Sequence, residues 1–349
     1  MSGTSMDGVD AALLSTDGDG YIGMGGVTGR PYPQALRRTL LELAAADVDV
    51  AEVERELTDL QAQVVRDLCR AEGLTLAQID LVGFHGQTIR HEPERRRSQQ
   101  LGDGQRMADA IQVPVVTAFR QNDLDHGGQG APLAPAYHRA LVRSCALAEP
   151  IAVLNIGGVS NCTLIDRDQI HACDCGPGNA LLDDWVRRHY GVNYDDGGRI
   201  AMAGRVDGEA LAKLLEHPYF RRRGPKSLDR NAFSLAALAA LSPEDGAATL
   251  SAFTAAAIAL EARRLPVVPR NWIVVGGGRH NAHMLGELAG RLGVTVLTAE
   301  DFEWNGAAIE AQAFAYLAVR SVLGLPLSWP ETTGVSVAVS GGTLWRPRQ

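Results

Sequence analysis

The stretch Ser2-Gly3-Thr4-Ser5-Met6-Asp7-Gly8-Val9-Asp10 is the one on which the interpretation of the fold depends, because two glycines bracket hydroxyl side chains and a carboxylate. Glycine adopts positive φ and lets the backbone approach a ligand closely. Successive N–H groups in such a turn form an anion-binding concavity, to which the two hydroxyls would add donors. Asp7 or Asp10 could hold a hydrated Mg²⁺ through one carboxylate. The alternative is a plain surface turn between strands.

The residues that follow predict a strand, a hairpin turn and two helices. Residues 10–14 are mostly small and apolar, and a glycine-rich turn follows at 17–20. A GxGxxG match at 18–23 has no helix after it, so we interpret it as part of a hairpin rather than as a dinucleotide site. Apolar residues at helical spacing predict helices over 33–46 and 50–72.

The composition is that of an ordinary globular protein. The 349 residues suggest about two domains, and 46% hydrophobic with 21% charged residues is typical of soluble proteins. A net charge of −8 and a pI of about 5.6 argue against nucleic acid or an anionic membrane as a partner. No apolar run approaches the roughly 20 residues that span a bilayer. The five cysteines lack the spacing of a disulfide framework, which favours a reducing cytoplasm.

Two more strands end in glycine-rich turns. An apolar strand at 151–156 ends in the sequence 155–161, which contains Gly157 and Gly158, and another strand follows. Two such strand–turn–strand elements, if they face each other, could hold a polyphosphate from both sides. The strand at 272–275 runs into Gly276-Gly277-Gly278 and then a helix, and three glycines there would let a flat ring or a phosphate lie on the backbone.

Two polar residues follow predicted strands, where open α/β sheets bind ligands. His85 comes after the strand at 79–84, and the alternative for it is a histidine at the edge of the core that bonds to backbone. Arg120 comes after the strand at 113–116 and could bind an anionic substrate group with its planar fork. Its alternative is a salt bridge at a domain junction.

Asp174 is the carboxylate that the sequence singles out for chemistry. The segment 173–179 precedes a predicted helix, which would place Asp174 just before a helix N-terminus, where anions gather. Cys173 and Cys175 flank it with a spacing that is wrong for a zinc pair. A buried alanine-rich helix is predicted over 245–260, and a last helix, which carries Glu310, over 306–322.

A series of motifs that spans nearly the whole chain resembles the anhydro-N-acetylmuramic acid kinases, members of the superfamily that joins sugar kinases, heat-shock chaperone ATPases and actin. The motifs are SGTSMDGVD at 2–10, GFHGQTIRH at 83–91, FRQND at 119–123, GGQGAPL at 127–133, LNIGGVSN at 154–161, DCGPGNALLDDW at 174–185, PKS at 225–227, VVGGG at 274–278 and IEAQAFAYLA at 309–318. The resemblance implies an α/β fold of two ribonuclease-H-like (actin-like ATPase) domains with an active-site cleft between them. We divide them at 1–120 and 121–349, and leave open whether the last helix packs back on the first domain.

The resemblance also implies a reaction, its ligands and its residues. ATP and water would convert 1,6-anhydro-N-acetylmuramic acid to N-acetylmuramic acid 6-phosphate in cell-wall recycling, in a cytoplasmic protein that is expected to be a homodimer. Asp174 would be the general base. From the residues themselves, Asp7 is the carboxylate to which we assign Mg²⁺. The implied ATP-binding residues are Gly3, Thr4, Ser5, Met6, Asp7, Gly8, Val9, Asp10, Asn155, Gly157, Gly158, Gly276, Gly277, Gly278 and Asn281. The implied substrate-binding residues are His85, Gln87, Arg120, Gly176, Pro177 and Glu310.

Two departures from the family pattern stand out. Family members carry a short apolar strand before the first motif, so we expect the true start of this protein to lie upstream of Met1. Without that strand, the first phosphate hairpin would lose one arm and leave a sheet edge open. Mass spectrometry of the native N-terminus would test this expectation. Cys173 and Cys175 also stand where an aromatic residue and a threonine are expected, which would alter how water is positioned beside the base.

Competing interpretations belong to other classes. A chaperone or an actin-like assembly protein would share the fold, but would need a peptide-binding domain or a polymerising surface. Another sugar kinase is the nearest enzymatic alternative, and the GFHGQT and DCGPGN motifs argue against it. An inactive ATP-binding relative is the alternative if the N-terminus is truly short.

Overall fold

The computed structural model of the chain describes residues 1–3, 6, 8–45, 50–226, 228 and 232–348. Its strands are β1 (Gly8–Thr16), β2 (Ile22–Pro31), β3 (Val82–Gly83), β4 (Gln87–Glu92), β5 (Arg97–Leu101), β6 (Val115–Thr117), β7 (Ile151–Ile156), β8 (Val159–Asp166), β9 (Gln169–Pro177), β10 (Asn271–Val275), β11 (Val296–Thr298) and β12 (Thr343–Trp345). Its α-helices are α1 (Gln34–Ala45), α2 (Ala51–Ala71), α3 (Gly104–Ile111), α4 (Gln121–Asp125), α5 (Pro135–Ser144), α6 (Ala180–Tyr190), α7 (Arg199–Ala203), α8 (Gly208–Leu215), α9 (Pro243–Ala262), α10 (Ala282–Leu292), α11 (Ile309–Val322) and α12 (Pro330–Thr333). Among the described helices, none combines the length and the apolar character of a membrane span.

The chain forms two compact units, and the first is discontinuous in sequence. Unit 1 comprises Met1–Ala146 together with Ala308–Gln349, and unit 2 comprises Leu147–Ala307. The last long helix, α11, packs on β1, β3 and α5 within unit 1. The sequence prediction divided the domains after residue 120, whereas the units divide after residue 146, because α4 and α5 pack on β5, β2 and α11.

Unit 2 is built on a five-stranded sheet with the order β11-β10-β7-β8-β9. Strands β7, β8 and β9 form an antiparallel meander, while β10 is parallel to β7 and β11 is parallel to β10. This order and these directions are those of a ribonuclease-H-like domain, so the predicted α/β fold class is confirmed.

The helix α9 is the buried centre of unit 2, as its alanine-rich sequence predicted. It contacts β9 and the helices α6, α7, α8 and α10, and a helix that is apolar on all sides is expected to be enclosed in this way. Phe253 of α9 is completely buried, and its ring makes edge contacts with Phe220 and Phe233 at centroid distances of 5.8 and 5.2 Å. The rings of Phe220, Phe233 and Phe253 therefore pack α9 against the segment that follows α8.

Replacing Phe253 by alanine should lower the free energy of unfolding by about 3–5 kcal/mol, because it leaves a cavity in a rigid core. Val268→Ala is the matched control, since this side chain is 82% exposed and should change stability by less than about 0.5 kcal/mol. Denaturant unfolding measures both values. Equal stabilities for the two variants would contradict the central position of α9.

The described residues of unit 1 form short sheets rather than one continuous sheet. Strands β1 and β2 form the hairpin that residues 10–20 predicted, and β12, β6 and β3 form a second sheet. The predicted strand at 79–84 is a strand only over Val82–Gly83. The basic segment 95–97 leads into β5, which pairs with β4. The sequence did not predict this second hairpin or β12.

A slot of about 960 Å³ separates β1 from β3 in unit 1, and α2 and α11 contribute side chains to its walls. Within the described residues, β1 pairs only with β2 and β3 pairs only with β6. Met1 and Asp10 exchange both backbone hydrogen bonds at 2.8 Å, as in an antiparallel pair, and Ser2 forms a parallel bridge with Gln87. Met1 therefore lies against the edge of β1 at one end of the slot, and Ser2 connects this end of the chain to β4.

A chain that carries seven alternating valine and threonine residues directly before Met1 should unfold at a midpoint at least about 2–4 °C higher. The added strand would pair with the edges of β1 and β3 that no described strand occupies. It would also replace the Met1 amino group, whose pKa burial lowers to about 6, with a neutral peptide group. Thermal unfolding is the measurement, and a glycine-serine extension of equal length is the control. Identical midpoints for the two extensions would show that the slot does not accept a strand.

Candidate functional site

The predicted second phosphate turn, residues 155–161, connects β7 to β8 in unit 2. Its two glycines leave space around the backbone, since a Cβ on Gly157 or Gly158 would meet no atom closer than 3.6 Å. The start of α6 holds the turn in place: the Asn179 N–H donates to the Gly157 carbonyl at 2.7 Å, and the Gly178 N–H donates to the Gly158 carbonyl at 3.0 Å. The turn is thus fixed on one side and open on the other, as binding of a phosphate requires.

The predicted adenosine turn, residues 276–278, lies beside it, because β10 pairs with β7 in parallel register. Gly276 has a φ of 77°, and a Cβ there would lie 2.2 Å from the Asn155 Oδ1 atom. A Cβ on Gly278 would lie 2.4 Å from a side chain at the end of β7, whereas one on Gly277 would meet nothing closer than 3.5 Å. Two of the three glycines therefore permit close packing of the two turns, and Gly277 remains exposed.

Asn281 has a structural role that the sequence analysis missed. Its Oδ1 atom accepts a hydrogen bond from the Met284 N–H at 2.9 Å, which makes it the N-cap of α10. The cap fixes the start of this helix immediately behind the adenosine turn. A contact between Asn281 and the nucleotide stays a prediction.

Asp174 lies within a strand, so its predicted position just before a helix N-terminus is wrong. Strand β9 continues to Pro177, and α6 begins only at Ala180. Asn161 pairs with Asp174 and Ser160 pairs with Gly176, which leaves Cys175 as the extra residue of a β-bulge. A bulge bends its strand and redirects side chains, and bulges are frequent next to active sites.

The surroundings of Asp174 tune its acidity. The Leu228 N–H donates to Asp174 Oδ2 at 2.8 Å, and the Asp174 N–H donates to the Lys226 carbonyl at 3.1 Å. The Tyr219 hydroxyl donates to the Asp174 carbonyl at 2.5 Å. Burial raises the pKa of Asp174 to about 7, and the Leu228 N–H and the Lys226 charge limit this rise. A carboxyl group with a pKa near neutrality is suited to general acid–base chemistry at physiological pH.

Gly176 and Pro177 form the buried end of β9. The Ser160 hydroxyl donates to their carbonyls at 3.1 and 3.0 Å. A Cβ on Gly176 would lie 2.6 Å from the Cβ of Ala257 in α9, so the small residues at both positions let β9 and α9 approach closely. Contacts of Gly176 and Pro177 with the substrate stay predictions.

The predicted first phosphate turn is in unit 1. Thr4, Ser5 and Asp7 lie outside the described residues, whereas Gly3, Met6, Gly8, Val9 and Asp10 are within them. Gln87 ties this turn to β4: its Nε2 donates to the Gly3 carbonyl at 2.8 Å, and its Oε1 accepts from the Ser2 hydroxyl at 2.6 Å. Gln87 is completely buried, so its amide positions the turn, and its predicted contact with the substrate stays a prediction.

His85, Arg120 and Glu310 are brought together in unit 1. Arg120 Nε donates to His85 Nε2 at 3.1 Å, and His85 Nδ1 donates to the Gly86 carbonyl at 2.9 Å. Burial and the Arg120 charge lower the pKa of His85 well below its usual value, so the ring is neutral. Burial lowers the pKa of Arg120 to about 10, while the charge of Glu310 opposes that shift. His85 therefore bonds to backbone, as its alternative interpretation proposed, and also supports Arg120.

Asp123 is a buried residue that the sequence analysis missed. It accepts hydrogen bonds from the Gly130 N–H at 2.6 Å and from the Ser328 and Thr333 hydroxyls at 2.5 Å. The Gly130 carbonyl accepts in turn from Arg120 Nη1 at 2.8 Å. Asp123 thus holds the backbone group that orients Arg120. The position of Asp123 in the FRQND motif was the signal in the sequence that could have indicated a role. The sequence does not show which groups donate hydrogen bonds to a buried carboxylate.

Comparisons with known proteins agree with the motifs. A sequence model of the anhydro-N-acetylmuramic acid kinases matches residues 1–347. The anhydro-N-acetylmuramic acid kinase of Rhodospirillum rubrum is 50% identical over 99% of this chain and 92% of that protein. Those of Paramagnetospirillum magneticum and Methylobacterium nodulans are 49% and 48% identical over 98% and 99% of this chain and 97% and 98% of their own lengths. This chain therefore belongs to the anhydro-N-acetylmuramic acid kinase family.

Proposed function

We propose that this protein uses ATP and water to convert 1,6-anhydro-N-acetylmuramic acid to N-acetylmuramic acid 6-phosphate, in the recycling of cell-wall amino sugars. Family membership supports this activity. The observation that carries the chemistry is the carboxyl group of Asp174, whose pKa of about 7 suits a general base. The resemblance further implies a cytoplasmic homodimer, which stays a prediction.

In the proposed reaction, Asp174 removes a proton from a water molecule, whose oxygen attacks the anomeric carbon of the anhydro sugar. The bond between C1 and O6 breaks, and O6 takes the bonding electrons. The freed O6 attacks the γ-phosphorus of ATP, and ADP departs. A glycosidase needs a second carboxyl group to protonate its leaving group, whereas here the phosphoryl group accepts the developing charge on O6.

The remaining residues bind and orient the reactants. We propose that the first phosphate turn, the second phosphate turn and the adenosine turn bind ATP, since Gly157, Gly158 and Gly277 leave room beside their backbones for a ligand. Mg²⁺ would be held by Asp7 and would neutralise charge on the phosphates. Arg120 would bind the lactyl carboxylate of the sugar, and Glu310 would lie near the sugar or near a metal-bound water.

The Asp174→Asn variant should lose at least about 10²–10⁴-fold in kcat, because the amide cannot accept the proton. In the wild-type enzyme, activity should fall as the pH drops through about 7, since protonation of Asp174 removes the base. The measurement is ATP turnover with 1,6-anhydro-N-acetylmuramic acid, N-acetylmuramic acid and glucose. Glu209→Gln, an exposed carboxyl of unit 2, is the control. Turnover of glucose but not of the anhydro sugar would favour another sugar kinase.

The Arg120→Ala variant should lose about 30-fold or more in kcat/KM with 1,6-anhydro-N-acetylmuramic acid, because the substrate carboxylate would lose a charged partner. With 1,6-anhydro-N-acetylglucosamine, which lacks the lactyl group, wild type and variant should react at similar rates. Steady-state kinetics on both sugars separate the two cases. An equal loss of kcat/KM with both substrates would show that Arg120 has a structural role and does not bind the lactyl carboxylate.

A further inference from the structure

A buried ion pair lies directly behind Asp174. Lys226 Nζ is 2.8 Å from Glu261 Oε2, and the two side chains are only 1% and 8% exposed. Arg264 reaches the same oxygen at 3.1 Å. Removing two charges from water is costly, so a buried pair is weak evidence of a contribution to stability. Its position beside the proposed base suggests another role.

Lys226 is connected to Asp174 by backbone and side chain. Its carbonyl accepts from the Asp174 N–H at 3.1 Å, and two residues further on the Leu228 N–H donates to Asp174 Oδ2 at 2.8 Å. The Lys226 ammonium lies 4.6 Å from the centre of the Tyr219 ring, whose hydroxyl donates to the Asp174 carbonyl. The segment that orients the carboxylate therefore also carries a fixed positive charge.

Glu261 holds that charge in place from the neighbouring helix. It belongs to α9, which packs against β9, and its second oxygen, Oε1, accepts from the Cys173 thiol at 3.5 Å. Each oxygen of Glu261 thus has a donor, and one of those donors adjoins Asp174 in sequence. The pair links the buried helix of unit 2 to the strand that carries the proposed base.

Among the described residues near Asp174, the titratable groups Tyr219, Cys173 and Cys175 are neutral near pH 7. Burial raises the pKa of Tyr219 far above its usual value. Hydrogen bonding among the thiols raises the pKa values of Cys173 and Cys175, with Cys162 of β8 as a further thiol of this group. Among the described residues around Asp174, the groups that carry charge are Lys226, Glu261 and Arg264.

We propose that Lys226 and Glu261 are positioning residues that orient Asp174 and set the pH at which it can act as a base. The Lys226 charge favours the carboxylate form of Asp174, because an opposite charge nearby stabilises the ionised state. Glu261 partly cancels that effect, because it lies 2.8 Å from the Lys226 ammonium and its negative charge opposes the positive charge of the lysine. This inference rests on the proposed role of Asp174 as the general base.

The two charges can be tested separately, since their removal should have opposite effects. Lys226→Met should move the acidic limb of the kcat/KM–pH profile to higher pH by about half a unit or more, and Glu261→Gln should move it to lower pH. A carbon-13 NMR titration of the Asp174 carboxyl group, assigned with the Asp174→Asn variant, should show the same two shifts without relying on turnover. The double variant should return toward the wild-type midpoint, because both charges are gone.

Matched controls separate this effect from a general loss of structure. Lys213→Met and Glu209→Gln remove an ion pair of similar length, 2.7 Å, from the exposed surface of α8, and neither should move the midpoint. Lys226→Arg keeps the charge and should stay close to wild type. Thermal unfolding shows whether Lys226→Met still folds. If it does not, Glu261→Gln still tests the inference, because it replaces one oxygen by nitrogen and keeps the size of the side chain.

The possible results are distinct. Opposite shifts in the NMR titration support the inference, whether or not the wild-type protein turns over the anhydro sugar. Unchanged titration midpoints in both variants, or shifts in the same direction, overturn it. Absence of turnover in wild type together with opposite NMR shifts would reject the proposed function and leave the charge relationship standing.

Discussion

The enclosure of the Asp174 carboxyl group is the constraint on which much of unit 2 depends. A carboxylate removed from water is costly unless hydrogen bonds and charges compensate it. Here a backbone N–H of Leu228 and the charge of Lys226 compensate in part, and the balance leaves the pKa of Asp174 near 7. The close approach of β9 to the alanine-rich α9 contributes to this enclosure, because only the Ala257 methyl group lies between the helix backbone and Gly176.

In unit 1, the corresponding constraint is the orientation of the Arg120 side chain inside the protein. Asp123 is buried, and its carboxylate accepts from the Gly130 N–H and from two hydroxyls of the segment 328–333. Buried polar groups are almost always satisfied in this way. The fixed Gly130 carbonyl and the neutral His85 ring then hold the guanidinium of Arg120. A planar group held by two partners has lost most of its freedom before a ligand arrives, which lowers the entropic cost of binding.

Local patterns predicted the elements of the sheets and helices well where the chain is regular. The β7–β8 hairpin and the strand after residue 270 follow from apolar runs that lead into glycine-rich turns, and the helix α9 follows from its alanine-rich run. Strand β9 was not predicted, because the sequence Gly176-Pro177-Gly178 is typical of a turn. The strand nevertheless extends to Pro177, since a bulge at Cys175 and the packing of α9 keep it paired with β8. Tertiary contacts overrode the local preference.

The sequence by itself determined the family, the two-domain α/β class and the set of turns and charged residues that the chemistry needs, because these are carried by short motifs. Only the tertiary structure decided what each side chain does within that set. Gln87 holds the first phosphate turn, and Asn281 caps the helix α10. Lys226 forms an ion pair with Glu261, which is 35 residues away in the sequence. Only the tertiary structure revealed the slot between β1 and β3 and placed residues 121–146 in unit 1. The physical reason is that partners distant in sequence are chosen by packing and burial, which no local pattern records.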